Sequence, residues 1–264
     1  MIDKNRLAKD VDEIRAKSPL VHNITNFVVM NNSANALLAI GASPVMAHAK
    51  EEVEDMVAIA QSLVINIGTL NSDWVESMII AGKAAHRRGK AFVLDPVGAG
   101  ATAYRTKVCW EIINSCHPTV IRGNGSEIMA LINADVKSKG VDSSAESGSA
   151  LDSAKQLSLR TGAVVVISGA TDYVTDGERV ESISNGSAMM TSVTGLGCTA
   201  SAMVGAFAAV DDDAFAASLN AMAVMGIAGE KAAAYTKGSG SLQIDFIDEL
   251  YHLTGDEAAL KVRQ

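Results

Sequence analysis

Several apolar runs of this sequence stop at residues able to do chemistry. Asp95 closes the run in LDPVGAGAT (94–102), Arg122, Asn124 and Glu127 lie within IRGNGSE (121–127), Ser168 and Asp172 within ISGATD (167–172), and Cys198 ends TGLGC (194–198). Two carboxylates, a guanidinium and a glycine-rich turn entering a helix are the parts needed to hold a polyphosphate and a magnesium ion. Carboxylates bind Mg2+ directly or through water. Arginine matches phosphate oxygens with a two-pronged fork, and exposed amides at a helix start receive negative charge as it develops. Singly, each residue has a structural explanation: Asp95-Pro96 as a turn, Arg122 as half of a surface ion pair, and Asn124 with Glu127 three residues on as a helix cap. Their joint occurrence favours the phosphate reading.

The glycine turn is neither of the two common nucleotide fingerprints. No Lys-Ser/Thr follows it, and no G-x-G-x-x-G follows the first strand. Gly195 and Gly197 sit late in the chain, suited to the phosphoryl group in transfer. At the helix start Cys198 is expected to have a thiol pKa below about 8.5, favouring the thiolate. Three roles for it stay open. It is a small hydrophobe at a helix start, or a covalent nucleophile with His22 or His48 as base, or a group that orients an acceptor hydroxyl or takes its proton. In the third case the amides of the turn and magnesium stabilise the charge, because phosphoryl transfer needs a weak base or none.

These residues need a scaffold that gathers them on one edge. The runs SLVINIG (62–68), KAFVLDPVG (90–98), PTVIRG (118–123) and AVVVISG (163–169) alternate with helical stretches such as SDWVESMIIAGKAAHRRG (72–89). That rhythm predicts a mostly parallel sheet covered by helices on both faces. In such sheets ligands bind beyond the carboxyl ends of the strands, where the polar residues above fall. Leu7, Val11 and Ile14 predict an amphipathic first helix. YVTDGERVESI (173–183), with its Asp176-Gly177 step, predicts a hairpin, and SAMMTSV (187–193) a further antiparallel edge strand. Three helices are expected at about 198–210, 213–235 and 242–253. The stretch 140–150 is polar enough for a mobile loop. A single domain, 1–264, is expected.

Composition narrows the partners. Of 264 residues, 22 are Lys or Arg and 30 are Asp or Glu, leaving a net charge of −8 with 4% aromatics. That disfavours a nucleic-acid surface and favours a small-molecule ligand. The stretches 18–49 and 182–210 lack charges, but Asn, Ser, Thr and Gly interrupt both, so no membrane span is expected. Three cysteines, an odd number, without a secretory leader predict free thiols in a reducing cytoplasm.

The segments PLVHNITNFVVMN (19–31), GASPVMAHA (41–49), NIGTL (66–70), LDPVGAGAT, VIRGNGSEI (120–128), VTDG (174–177) and TGLGC together resemble the hydroxyethylthiazole kinases, over nearly the whole chain. The resemblance implies a three-layer ribokinase-like α/β fold and ATP-dependent phosphorylation of the primary alcohol of 4-methyl-5-(2-hydroxyethyl)thiazole for thiamine synthesis. It implies ATP contacts at Arg122, Ser168 and Asn124, and substrate contacts at Met46, Gly195, Asn26 and Gly68. Magnesium would fall to Asp95 and Glu127, and the catalytic turn to Gly195, Gly197 and Cys198. It also implies a homotrimer with sites between subunits. PLVHNITN and GASPVMAHA favour the thiazole over the hydroxymethylpyrimidine or sugar acceptors of related kinases. Gly125 and Ser168 stand where many members carry Ala and Thr, and both substitutions keep the chemistry. A cysteine-dependent acyl-transfer enzyme using Cys198 and a non-catalytic nucleotide-binding regulator are the readings from other classes.

Overall fold

A computed structural model describes residues 1–138 and 149–264. The loop expected at 140–150 lies outside the described residues, apart from Ser149 and Ala150, which cap and begin a helix.

Eight strands form one sheet: β1 (Leu20–Ile24), β2 (Ser43–Val45), β3 (Ser62–Asn66), β4 (Ala91–Asp95), β5 (Val120–Asn124), β6 (Val164–Ser168), β7 (Asp172–Thr175) and β8 (Val180–Ile183). Their order is β2-β1-β3-β4-β5-β6-β7-β8. The first six are parallel, and β7 and β8 run antiparallel. Strand residues alternate between two cores, as a sheet covered on both faces requires. Val64, Val93, Val120 and Val166 face one core, which includes α1 (Lys4–Lys17), α2 (Met30–Ile40), α8 (Leu196–Ala208), α9 (Ala214–Ala233), α10 (Ser239–His252) and α11 (Gly255–Lys261). Leu63, Ile65, Phe92, Leu94 and Val165 face the other, built with α3 (Val53–Ile59), α4 (Ser72–Arg87), α5 (Ala103–Cys116), α6 (Gly125–Ser138) and α7 (Ala150–Thr161).

Leu7, Val11 and Ile14 are buried along α1, as their spacing predicts. The hairpin at 173–183 forms as β7 and β8, with Gly177 at φ +94° in its turn. The strand expected in SAMMTSV does not form. Ala188–Ser192 is a short 3-10 helix begun by Ser187, whose hydroxyl accepts from the Met189 amide. This segment lies against α9, where a Cβ on Gly229 would sit 2.2 Å from the Met190 sulfur, so packing on a helix decides its conformation rather than sheet pairing. Among the described residues no helix is long and apolar enough to cross a membrane. All three cysteines are free.

Candidate active site

Parallel strands bring their carboxyl ends to one edge. Asn66 pairs with Asp95 in the β3–β4 register, and Asn124 with Ser168 in the β5–β6 register. Asp95 is the centre of the arrangement. Its Oδ2 accepts from Asn66 Nδ2 at 2.8 Å and from Ser201 Oγ at 2.7 Å, and lies 3.9 Å from Arg122 Nη1. Burial pushes its pKa up to about 6 against the pull of Arg122, and the nearby charge of Glu127 adds to the rise.

Asn66 passes the network on. Its Oδ1 accepts from Asn26 Nδ2 at 2.7 Å and from the Gly68 amide at 2.9 Å. Asn26 also donates to the Cys198 sulfur at 3.6 Å, joining Asp95, Asn66, Asn26 and Cys198 in one chain of contacts. Gly68 gives that chain room, because a Cβ there would meet Asn26 Nδ2 at 2.4 Å.

The turn before α8 is left open. Gly195 takes the N-cap position in the left-handed region, φ +86°, and no side chain caps the helix. That conformation favours glycine. Arg122 reaches across from β5 and donates through Nη1 to the Gly197 carbonyl at 2.8 Å, and through Nη2 to the Ser168 hydroxyl. Its Nε is buried and has no partner among the described residues. Arg122, Ser168 and Gly197 line one end of a cavity of about 510 Å³, within the range of small-molecule sites.

The expected thiolate at Cys198 is not what this environment favours. Burial and the neighbouring Asp95 charge push the thiol up to about 11, outweighing the amide contacts that lower it. The nucleophile reading finds no base either. His22 Nε2 bonds the Ala47 carbonyl at 2.8 Å, and His48 Nε2 lies 3.1 Å from both the amide and the carbonyl of Thr25. Burial holds both imidazoles below their usual pKa.

Glu127 and Asn124 form a closed helix start. Asn124 Oδ1 accepts from the Glu127 amide at 2.9 Å, while Glu127 Oε2 accepts from the Asn124 amide at 2.8 Å and Oε1 from the Gly98 amide at 2.8 Å. Met46 directly follows β2 and is not among the residues lining the cavity above. Asp172 accepts from the Gly169 amide at 2.9 Å, and its burial raises its pKa to about 6.

Three residues that hold the site went unread in the sequence. Asn66 ends an apolar run just as Asp95 does, so that signal was present. Ser201 lies one helical turn beyond Cys198. Arg105 donates to the carbonyls of Ile67, Val97 and Gly68 at 2.9, 2.8 and 2.7 Å, tying together the loops after β3 and β4.

The sheet, its helical layers and a glycine turn facing buried polar strand ends define a ribokinase-like kinase. A ribokinase-like superfamily protein from Enterococcus faecalis V583 shares the fold, with a TM-score of 0.66 at 13% identity over 96% of each chain. Within that class the chain belongs to the hydroxyethylthiazole kinase family, which it matches over residues 11–256. It is 57% identical to the hydroxyethylthiazole kinase of Leptospira biflexa serovar Patoc over 96% of this chain and 95% of that protein. The structure of a hydroxyethylthiazole kinase protein from Pyrococcus horikoshii OT3 superposes with a TM-score of 0.88, at 42% identity over 98% of each chain.

Proposed function

We propose that this chain transfers the terminal phosphoryl group of ATP to the primary alcohol of 4-methyl-5-(2-hydroxyethyl)thiazole, in thiamine salvage. The observation that carries the site assignment is the uncapped start of α8 at Gly195, with Arg122 bonded to its first turn in the cavity lining. Free amides there receive phosphate charge. Arg122 and Ser168, bonded to each other in the cavity lining, hold the phosphate chain, and Asn124 borders that end of the sheet. Met46, Asn26, Gly68 and Gly195 serve the thiazole side.

The donor set fits a divalent cation held mainly by phosphate and water, Mg2+ in our reading. Among the described residues no three His, Cys, Asp or Glu side chains converge as a protein-only cage, and Mg2+ commonly takes one or two carboxylates with substrate phosphates. Asp95 and Glu127 would hold it. When bound it neutralises charge on the phosphate oxygens. The electrostatics support this: burial raises Asp95, the charge of Glu127 adds to the rise, and a cation would offset both. Cys198, as a neutral thiol, orients the acceptor hydroxyl, and the amides of the Gly195–Cys198 turn receive the transferring group.

In our reading the enzyme is one kinase domain over 1–264, works in the cytoplasm and assembles as a homotrimer with sites between subunits. Phe27 and Val28, each 63% exposed directly after Asn26, support association beside the substrate side. The decisive experiment follows ADP release when the thiazole alcohol is added, with and without Mg2+. Release that depends on both is expected. No release above the rate without the alcohol, or equal release on hydroxymethylpyrimidine, would overturn the assignment.

A further inference from the structure

The cavity has two chemically different ends. One carries Arg122, Ser168 and the open turn. The other is walled by Met190, Met222, Met225 and Gly226. The longer polar side chains at this second end, Asn185 and Thr191, are already engaged. Asn185 donates to Glu230 Oε2 at 3.0 Å and to the Lys261 carbonyl at 3.1 Å, and accepts from the Arg263 amide at 2.7 Å. The Thr191 hydroxyl donates to the Ala188 carbonyl at 2.8 Å, and the Ser187 hydroxyl accepts from the Met189 amide at 3.3 Å. Met222, Met225 and Gly226 lie inside α9, whose own ladder consumes their backbone groups. The wall is also fixed in place. A Cβ on Gly226 would stand 2.6 Å from the Asn185 carbonyl oxygen, so the segment after β8 lies directly on the helix.

We propose that this end takes the nucleotide base by shape and by thioether contact, and that the kinase therefore uses adenine, guanine and hypoxanthine nucleotides with nearly equal efficiency. The proposal rests on the cavity being the nucleotide site. Thioethers bind aromatic rings without regard to the pattern of donors and acceptors on their edges. A site that hydrogen-bonds a distinguishing group rejects an analogue lacking it by about 10⁴-fold, whereas an apolar wall separates near-isosteres far less.

The test measures calorimetric binding of ADP, GDP and IDP in the presence of Mg2+, and turnover of ATP, GTP and ITP with the thiazole alcohol. Dissociation constants within about tenfold of one another are expected. Met222→Ala and Met225→Ala should weaken all three diphosphates together and leave their ratios unchanged. Adenine preferred by more than tenfold, a selective loss of one base in either variant, or no binding of any diphosphate would overturn the proposal. Even binding of all three with no phosphorylation of the alcohol would uphold it while removing the assigned acceptor.

Discussion

Two helices begin at the carboxyl edge of the sheet with glycine near their first turn, yet their starts are opposites. At α6 the Asn124 and Glu127 side chains take up the first amides, and Glu127 also secures Gly98. At α8 Gly195 has no side chain to offer, and the turn stays uncapped beside Arg122. Amides at a helix start need partners, and at α8 they are open to a ligand beside Arg122. In the proposed reading the contrast gives anion binding to α8, and α6 a structural task on top of any share in metal binding.

The strongest way to break this contrast is to fill the open start. Gly197→Val places a branched side chain where a Cβ already comes within 3.1 Å of Arg122 Nη1. Turnover is expected to fall by about a thousandfold, the upper range for losing a charge-stabilising donor, with the melting temperature little changed. A variant that keeps its activity would show that the turn is not the phosphate cradle.

At the closed start, Glu127→Gln is expected to lower kcat by about a hundredfold, with partial recovery at high Mg2+, and to cost less than about 1 kcal/mol, the usual worth of a cap. Equal, modest losses of activity and stability would reduce Glu127 to a capping residue. A smaller effect is expected at Cys198. Cys198→Ala should lose about tenfold, below the range of a positioned proton-transfer group and far below that of a nucleophile, and Cys198→Asp should match or exceed the parent. Abolished turnover in Cys198→Ala with a trapped covalent adduct in the parent would restore the nucleophile.

The smallest expected effect is on pH dependence. Asp95 has a folded pKa of about 6 against an ordinary value of 3.8, so the folded state binds its proton more tightly than the unfolded chain. Its contribution to stability is fully present below pH 3.8 and is lost as pH rises through 6. Asp95→Asn should therefore melt near the parent at pH 4 and above it at pH 8, while losing activity. Conversely, kcat/KM of the parent should fall as pH drops through about 6, where the working carboxylate is protonated. A melting difference that does not change with pH would place Asp95 in a different environment.

The central strands and their order along the chain were legible because parallel strands buried on both faces read as continuous apolar runs, and Asp95, Arg122 and Ser168 stand where those runs end. The 188–192 segment misled because its alternating pattern is met by packing on α9. The thiol at Cys198 was misjudged because the helix start is a local signal, whereas burial and Asp95 come from the tertiary arrangement. Glu127 carried both meanings in the sequence, and the cap it forms was one of them. Arg105 could not be read, since its partners are backbone carbonyls brought together only when β3 and β4 pair.

The sheet also ends in strands poorly suited to growth. At one margin β2 is three residues long and contains Pro44, which has no amide hydrogen to offer a neighbour. At the other, four-residue β8 carries Glu181, which pairs with the chain's amino terminus. Short, proline-bearing or charged margins block strand-by-strand stacking of copies and with it fibrillar aggregation. Assembly is thereby steered toward contacts between helices and loops, which can close into a finite particle.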